Sequence, residues 1–337
     1  MKQMAWGWAV LCGMALCVGL PGGVQAKEFS KDGPVTTDRT VTWPVPWQQG
    51  RRLEYDEVNE TVVIHDSSES RSTSTSIAAV EIIEAGGDGY LQRWTWREGQ
   101  TRDEGVDETV RRAAAAMVKG MEDLPLDVRL DRDGAYVAVA NIGDLSRKAR
   151  TGVHRATEAL FAEAKRPLSK AEQKGMLRML DMLTTPVALE NLVATLASRY
   201  NFVSGGGLAP GKEYAYDDEG PNPFGGAPFP MRNTMLLEPD AQDGWYLVQW
   251  TMVMDREKGS AVLADAVTRL LQRSGGKVPT AELDAARAKV LEDTDVNFSA
   301  RYRVDAATGI VQWMQLVQAK RVGGRNTVQT STLTLRH

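Results

Sequence analysis

The amino-acid sequence predicts an α+β protein: two strand-rich antiparallel-sheet units, over residues 27–143 and 205–337, joined by a helical connector over 144–204. Three observations carry that prediction. Residues 90–96 read YLQRWTW and 246–252 read YLVQWTM, so Tyr, Leu, Trp and Thr recur at the same places without a gap. Alternating runs punctuated by Gly-bearing turns fill both flanks, and a helical period fills the middle. In each flank the order is also the same: strand, Gly turn, aromatic strand, helix, an Arg-apolar-Asp triplet, a turn with Gly, and a strand. The triplets are Arg129-Leu130-Asp131 and Arg303-Val304-Asp305. A diverged internal duplication is the reading this order supports, with an extra helix near Thr280 in the second copy.

The first 26 residues have the layout of a secretory signal peptide. Lys2 precedes an apolar run from Met4 to Leu20, Pro21-Gly22-Gly23 breaks it, and Val24-Gln25-Ala26 supplies the cleavage site. An uncleaved anchor is the rival reading, because the run approaches the roughly 20 residues that span a bilayer. Cys12 and Cys17 each follow a leucine, which disfavours lipid attachment, and both leave with the signal. The expected mature chain therefore has no disulfide, and packing must stabilise it. Without Lys2 it carries 39 basic and 44 acidic residues, a formal charge of about −5. No basic stripe suggests nucleic acid, and no later segment is apolar for long enough to span a membrane. The location expected is periplasmic or secreted.

The elements follow in order. VTWPVPWQQG, residues 41–50, loses two amide donors to Pro44 and Pro46, so it is an edge strand or an extended strap tacked down by Trp43 and Trp47. Strands are expected at about 52–65 and 76–84, with the Ser/Thr-rich 66–76 as hairpin loop or exposed strand. Gly86-Gly87-Asp88-Gly89 turns the chain into YLQRWTW, where Tyr90, Gln92, Trp94 and Trp96 share the inward face. A helix from Asp107 to Gly120 follows, then a hairpin about Asp133-Gly134. Ser169-Lys170-Ala171-Glu172 is a capping box, and Thr185-Pro186 opens the next helix. After the Gly205-Gly206-Gly207 stop come strands near 214, 231–239 and 245–254, helices at 260–272 and 280–292, and three final strands. Tyr90, Trp94, Tyr246 and Trp250 are the expected core anchors.

The chemistry is sparse. His65, His154 and His337 are the only histidines, and no zincin, phosphate-loop, dinucleotide or Gly-x-Ser-x-Gly motif occurs. His65 lies beside Asp66 and Ser67, but neighbours on a strand point to opposite faces. Asp131-Arg132-Asp133-Gly134 opens like a calcium loop, yet lacks the later acidic ligands and reads better as a turn. No metal and no cofactor are expected.

PNPFGGAPFP, residues 221–230, carries Phe224 and Phe229 on a chain stiffened by four prolines. Those side chains are either anchors for a partner or a strap closing the sheet, and WPVPW poses the same choice. The function expected is an exported, non-catalytic protein that binds a protein partner or small ligand. The alternative is a carrier of lipid or another apolar ligand, with the aromatic strands lining a cavity; a hydrolase with an unrecognised site is third. The candidate contact residues are Phe224, Phe229, Trp43, Trp47, Trp96 and Met252.

Overall fold

The structure is a computed structural model that describes residues 40–65, 68–106, 124–163, 169–220, 228–259, 262, 295–322 and 324–337. The expected signal peptide, both cysteines, Phe224 and the helices expected at 107–120, 280–292 and most of 260–272 lie outside those residues. In chain order the elements are β1 (Val41–Thr42), β2 (Arg52–His65), β3 (Ser68–Gly86), β4 (Gly89–Glu104), β5 (Leu126–Leu130) and β6 (Tyr136–Val139). Next come α1 (Ile142–Glu163), α2 (Lys170–Leu183) and α3 (Pro186–Asn201). The second run is β7 (Gly207–Leu208), β8 (Glu213–Gly220), β9 (Phe229–Pro239), β10 (Trp245–Met254), β11 (Asp295–Asp305), β12 (Val311–Val322) and β13 (Arg325–Leu335).

Antiparallel sheet dominates. Eleven strands form one sheet in the order β6-β5-β4-β3-β2-β13-β12-β11-β10-β9-β8, so strands of both sequence units share it. The seam is the long pairing of β2 with β13, from Tyr55↔Leu335 to His65↔Arg325. The Ser/Thr-rich stretch is strand, not loop, from Ser68 onward. The two aromatic strands meet their partners in the same register. Tyr90 and Leu91 face Leu130 and Arg129, while Tyr246 and Leu247 face Val304 and Arg303.

The connector is helical, as its period predicts. Thr185 caps α3 by accepting a hydrogen bond from the Ala188 amide, with Pro186 in the first turn, where a missing N–H costs nothing. Tyr200 and Phe202, at the end of α3, show how strongly the sheet curls. The Tyr200 ring lies 4.8 Å from Trp94 of β4, and the Phe202 ring 5.0 Å from Trp250 of β10. Those strands are six steps apart, roughly 29 Å along a flat sheet at about 4.8 Å per step. Two residues of backbone reach about 7 Å. The sheet therefore bends around the end of α3, and its inner face is the concave one.

The WPVPW segment is a strap across one end of this trough. The Trp43 amide donates to Gly206 O at 3.1 Å and its indole N–H to Val203 O. Val45 lies against Gly134 in the β5–β6 turn, and the Pro44 carbonyl against Gly309 in the β11–β12 turn. Asp131 fixes the former turn by accepting hydrogen bonds from the amides of Asp133 and Ala135. That is the turn reading of the Asp-x-Asp-Gly stretch, with its first carboxylate spent on backbone.

Candidate functional site

The concave face is built by two groups of side chains. On the first half, Trp94 stacks on Trp96, Tyr200 meets Trp94 edge-on, and Trp47 stacks on Tyr200 at 5.8 Å. Gln92 and Asn201 are both buried and exchange amide hydrogen bonds at 3.0 and 3.1 Å. Burial pushes the Tyr200 and Tyr55 phenols well above their ordinary range. On the second half, Phe202 packs on Trp250 and Tyr302, and the Arg199 guanidinium sits 4.5 Å over the Phe298 ring.

Around Trp250 the inner wall is soft and apolar. Met231, Met235, Met252 and Met254 are buried there with Phe229 and Phe298. Two buried polar atoms in this wall have no hydrogen-bond partner among the described residues: Asn233 Nδ2 and the Tyr302 hydroxyl. Asn233 Oδ1 does accept from the Trp250 indole at 2.9 Å. Desolvation raises the Tyr302 pKa, keeping the phenol neutral.

Among the residues singled out from sequence, Trp43, Trp47, Phe229 and Met252 are buried, and Trp96 is half-buried. In this conformation they contribute to the interior, not to open surface. Phe229 and Met252 both lie on the β9–β10 wall, whereas Trp43 and Trp47 lie in the strap. Tyr200 and Phe202 were not singled out, although they organise the concave face. Their signal was two aromatics just ahead of the Ser204-Gly205-Gly206-Gly207 stop.

On the convex face a groove of about 460 Å³ runs along β3 and β4, lined by Arg71, Thr73, Thr75, Gln100, Arg102 and Glu104. No group of three or more metal-ligating side chains occurs among the described residues. No helix among them is long and apolar enough to cross a membrane.

No family model matches the chain, and no curated protein matches it. Among solved structures it is similar to one described as "lipid-protein interactions in lipovitellin", with a TM-score of 0.45 and 8% identity. That match covers 86% of this chain and 25% of the other, so the chain spans about a quarter of that protein's length.

Proposed function

We propose that this is an exported, non-catalytic binding protein whose ligand is apolar, a lipid acyl chain or a molecule of similar character, taken up against the concave face. The observation that carries the reading is the methionine-lined wall of β9, β10 and β11, with two unpartnered donors, Asn233 and Tyr302, set into it. Apolar ligand sites combine such a lining with a few fixed polar groups. Methionine repacks at low cost, which suits a wall that must close when empty. The end of α3 occupies the trough in this conformation and is the piece a ligand displaces. Export rests on Lys2, the apolar run to Leu20 and the break at Pro21. The shared register of the two aromatic strands supports descent of the halves from one duplicated unit.

The test is equilibrium binding of a fluorescent long-chain acyl probe to the full chain. Saturable binding is expected in wild type, weakened at least about tenfold in Met252→Glu. It is unchanged in Val253→Glu, the neighbouring position on the convex side. Asn233→Leu, which keeps the packing volume, reports on the head-group contact if Met252→Glu folds poorly. No saturable binding by folded wild-type protein refutes the proposal.

A second reading, docking of a protein partner, is favoured by the polar groove along β3 and β4. Capture of a partner that Thr73→Trp abolishes, with no probe binding, would replace the first reading.

A further inference from the structure

The far ends of β2, β3 and β13 are patterned inside out. On β2, Tyr55 points into the trough, because its hydroxyl meets Tyr200 and Val311. Alternation then places Glu57, Asn59 and Thr61 on the concave face as well. Their cross-strand neighbours are Ser76, Ser74 and Ser72 on β3, and Leu333, Ser331 and Gln329 on β13. The concave side is thus hydroxyl- and amide-lined here. Ser76 donates to the buried Glu57 carboxylate at 2.7 Å, and Asn59 donates to it at 3.0 Å. Apart from Leu333 and Val63, the apolar side chains here are on the other face. Val58, Ile64 and Val328 are 40%, 41% and 37% exposed, beside Val62, Val317 and Ala319. A sheet that half-buries serines and exposes valines leaves its convex face unmatched to water.

We infer that a second copy of this chain covers that convex face, the two sheets packing about a two-fold axis that runs along the strands between β2 and β13. The inference stands apart from the ligand proposal and concerns the opposite side of the sheet. Charge complementarity selects the occupant. One convex row reads Glu69, Ile64, Asn326, Arg321 across β3, β2, β13 and β12, and the next reads Arg71, Val62, Val328, Ala319. The axis lays β3 of one copy over β12 of the other. Glu69 then faces Arg321 of the second copy, twice over, Val62 faces Val328, and Arg71 faces Ala319. The following row sets Glu60 opposite Thr330, so these rows bring no like charges together. Arg321 is exposed and has no ion pair among the described residues. Arg71 is already held by Glu60 at 2.8 Å. Glu69 is only 3.7 Å from Arg71 at the surface, a contact worth little, so it is free to exchange.

Four strands by three residue pairs give a footprint of roughly 400 Å² per copy, against the ~800 Å² of a standard interface. Association in the range of tens of micromolar or weaker is expected. Sedimentation velocity on the full chain from ~10 to ~500 µM reads it directly. Wild type is expected to shift from monomer to dimer, and V62D/V328D to stay monomeric with an unchanged melting temperature. Glu69→Arg sets Arg against Arg, and Arg321→Glu sets Glu against Glu. Each single change is expected to weaken the dimer at least about fivefold, and the double swap to restore it. A wild type monomeric throughout overturns the inference. So does a dimer indifferent to V62D/V328D, or a double swap no tighter than the singles. Binding of monomeric wild type to phosphatidylglycerol-containing vesicles through this face would also overturn it, in favour of a membrane surface.

Discussion

The hydroxyl of Tyr200 donates to the hydroxyl of Tyr55 across 2.8 Å, although 145 residues separate them, and Tyr55 in turn donates to the Val311 carbonyl at 3.0 Å. This relay ties the last turn of α3 to β2 and to the start of β12. It holds the helix end in the trough and crosses the seam where the first strand of the sheet meets its last.

Tyr200→Phe keeps the ring and its contacts with Trp94 and Trp47 but removes the donor. A loss of about 1 kcal/mol is expected, the usual worth of one such bond. Tyr200→Ala also removes the stacked ring and is expected to cost about 3–5 kcal/mol. Urea unfolding of the two variants should separate these effects; equal midpoints would show that the hydroxyl, not the ring, carries the contact.

Alkaline pH should loosen the same cluster. Burial raises the phenols of Tyr55, Tyr200 and Tyr302, and Tyr136 and Tyr216 are pushed up to about 12. An unfolded tyrosine titrates near 10. The folded state therefore binds these protons more tightly. The stability they contribute is fully present below about pH 10 and is lost as pH rises through the folded values. Unfolding free energy measured at pH 9 and pH 11 should fall between the two; a flat profile would contradict the burial.

Gly309 and Gly211 both have positive φ, +70° and +73°. A Cβ at Gly309 would stand 1.9 Å from the Pro44 carbonyl oxygen, while one at Gly211 meets nothing within 4 Å. Gly211→Ala should cost only the backbone strain, about 1–2 kcal/mol. Gly309→Ala should cost more and displace the strap, seen as a red shift of tryptophan emission from Trp43 and Trp47. Matching spectra and melting temperatures for the two variants would remove the strap from the account.

Trp94 is 1% exposed and touches Trp96, Tyr200 and, through its indole N–H, Gln92 at 3.1 Å. Trp94→Ala is expected to destabilise by about 3–5 kcal/mol, read by calorimetry. An unchanged melting temperature would mean that β4 is not anchored there.

Much of the local structure was legible. Alternation found the inward face of β4, Pro186 and Thr185 the start of α3, and Pro44 with Pro46 the strap. The joining of both strand runs in one sheet was not legible, because pairing of β2 with β13 involves residues some 270 apart and ordinary surface-like side chains such as Ser331 and Asn59. For the Ser68–Ser76 stretch the sequence left loop and exposed strand both open, since its serines face inward where an apolar run is the usual signal. At the candidate site, Met252 and Phe229 were visible as apolar residues on strands. The meeting of Trp250 on the same wall with Phe202 depended on the curl of the sheet, which no local pattern encodes.

The central proposal is that the concave face takes up an apolar guest. Native mass spectrometry of the full chain as purified, paired with solvent extraction, tests this most directly. A lipid or other apolar mass released on extraction is the result expected, and its loss in Met252→Glu would place it against β10. A clean apo mass, with nothing apolar in the extract, would contradict the central claim and turn attention to the convex groove.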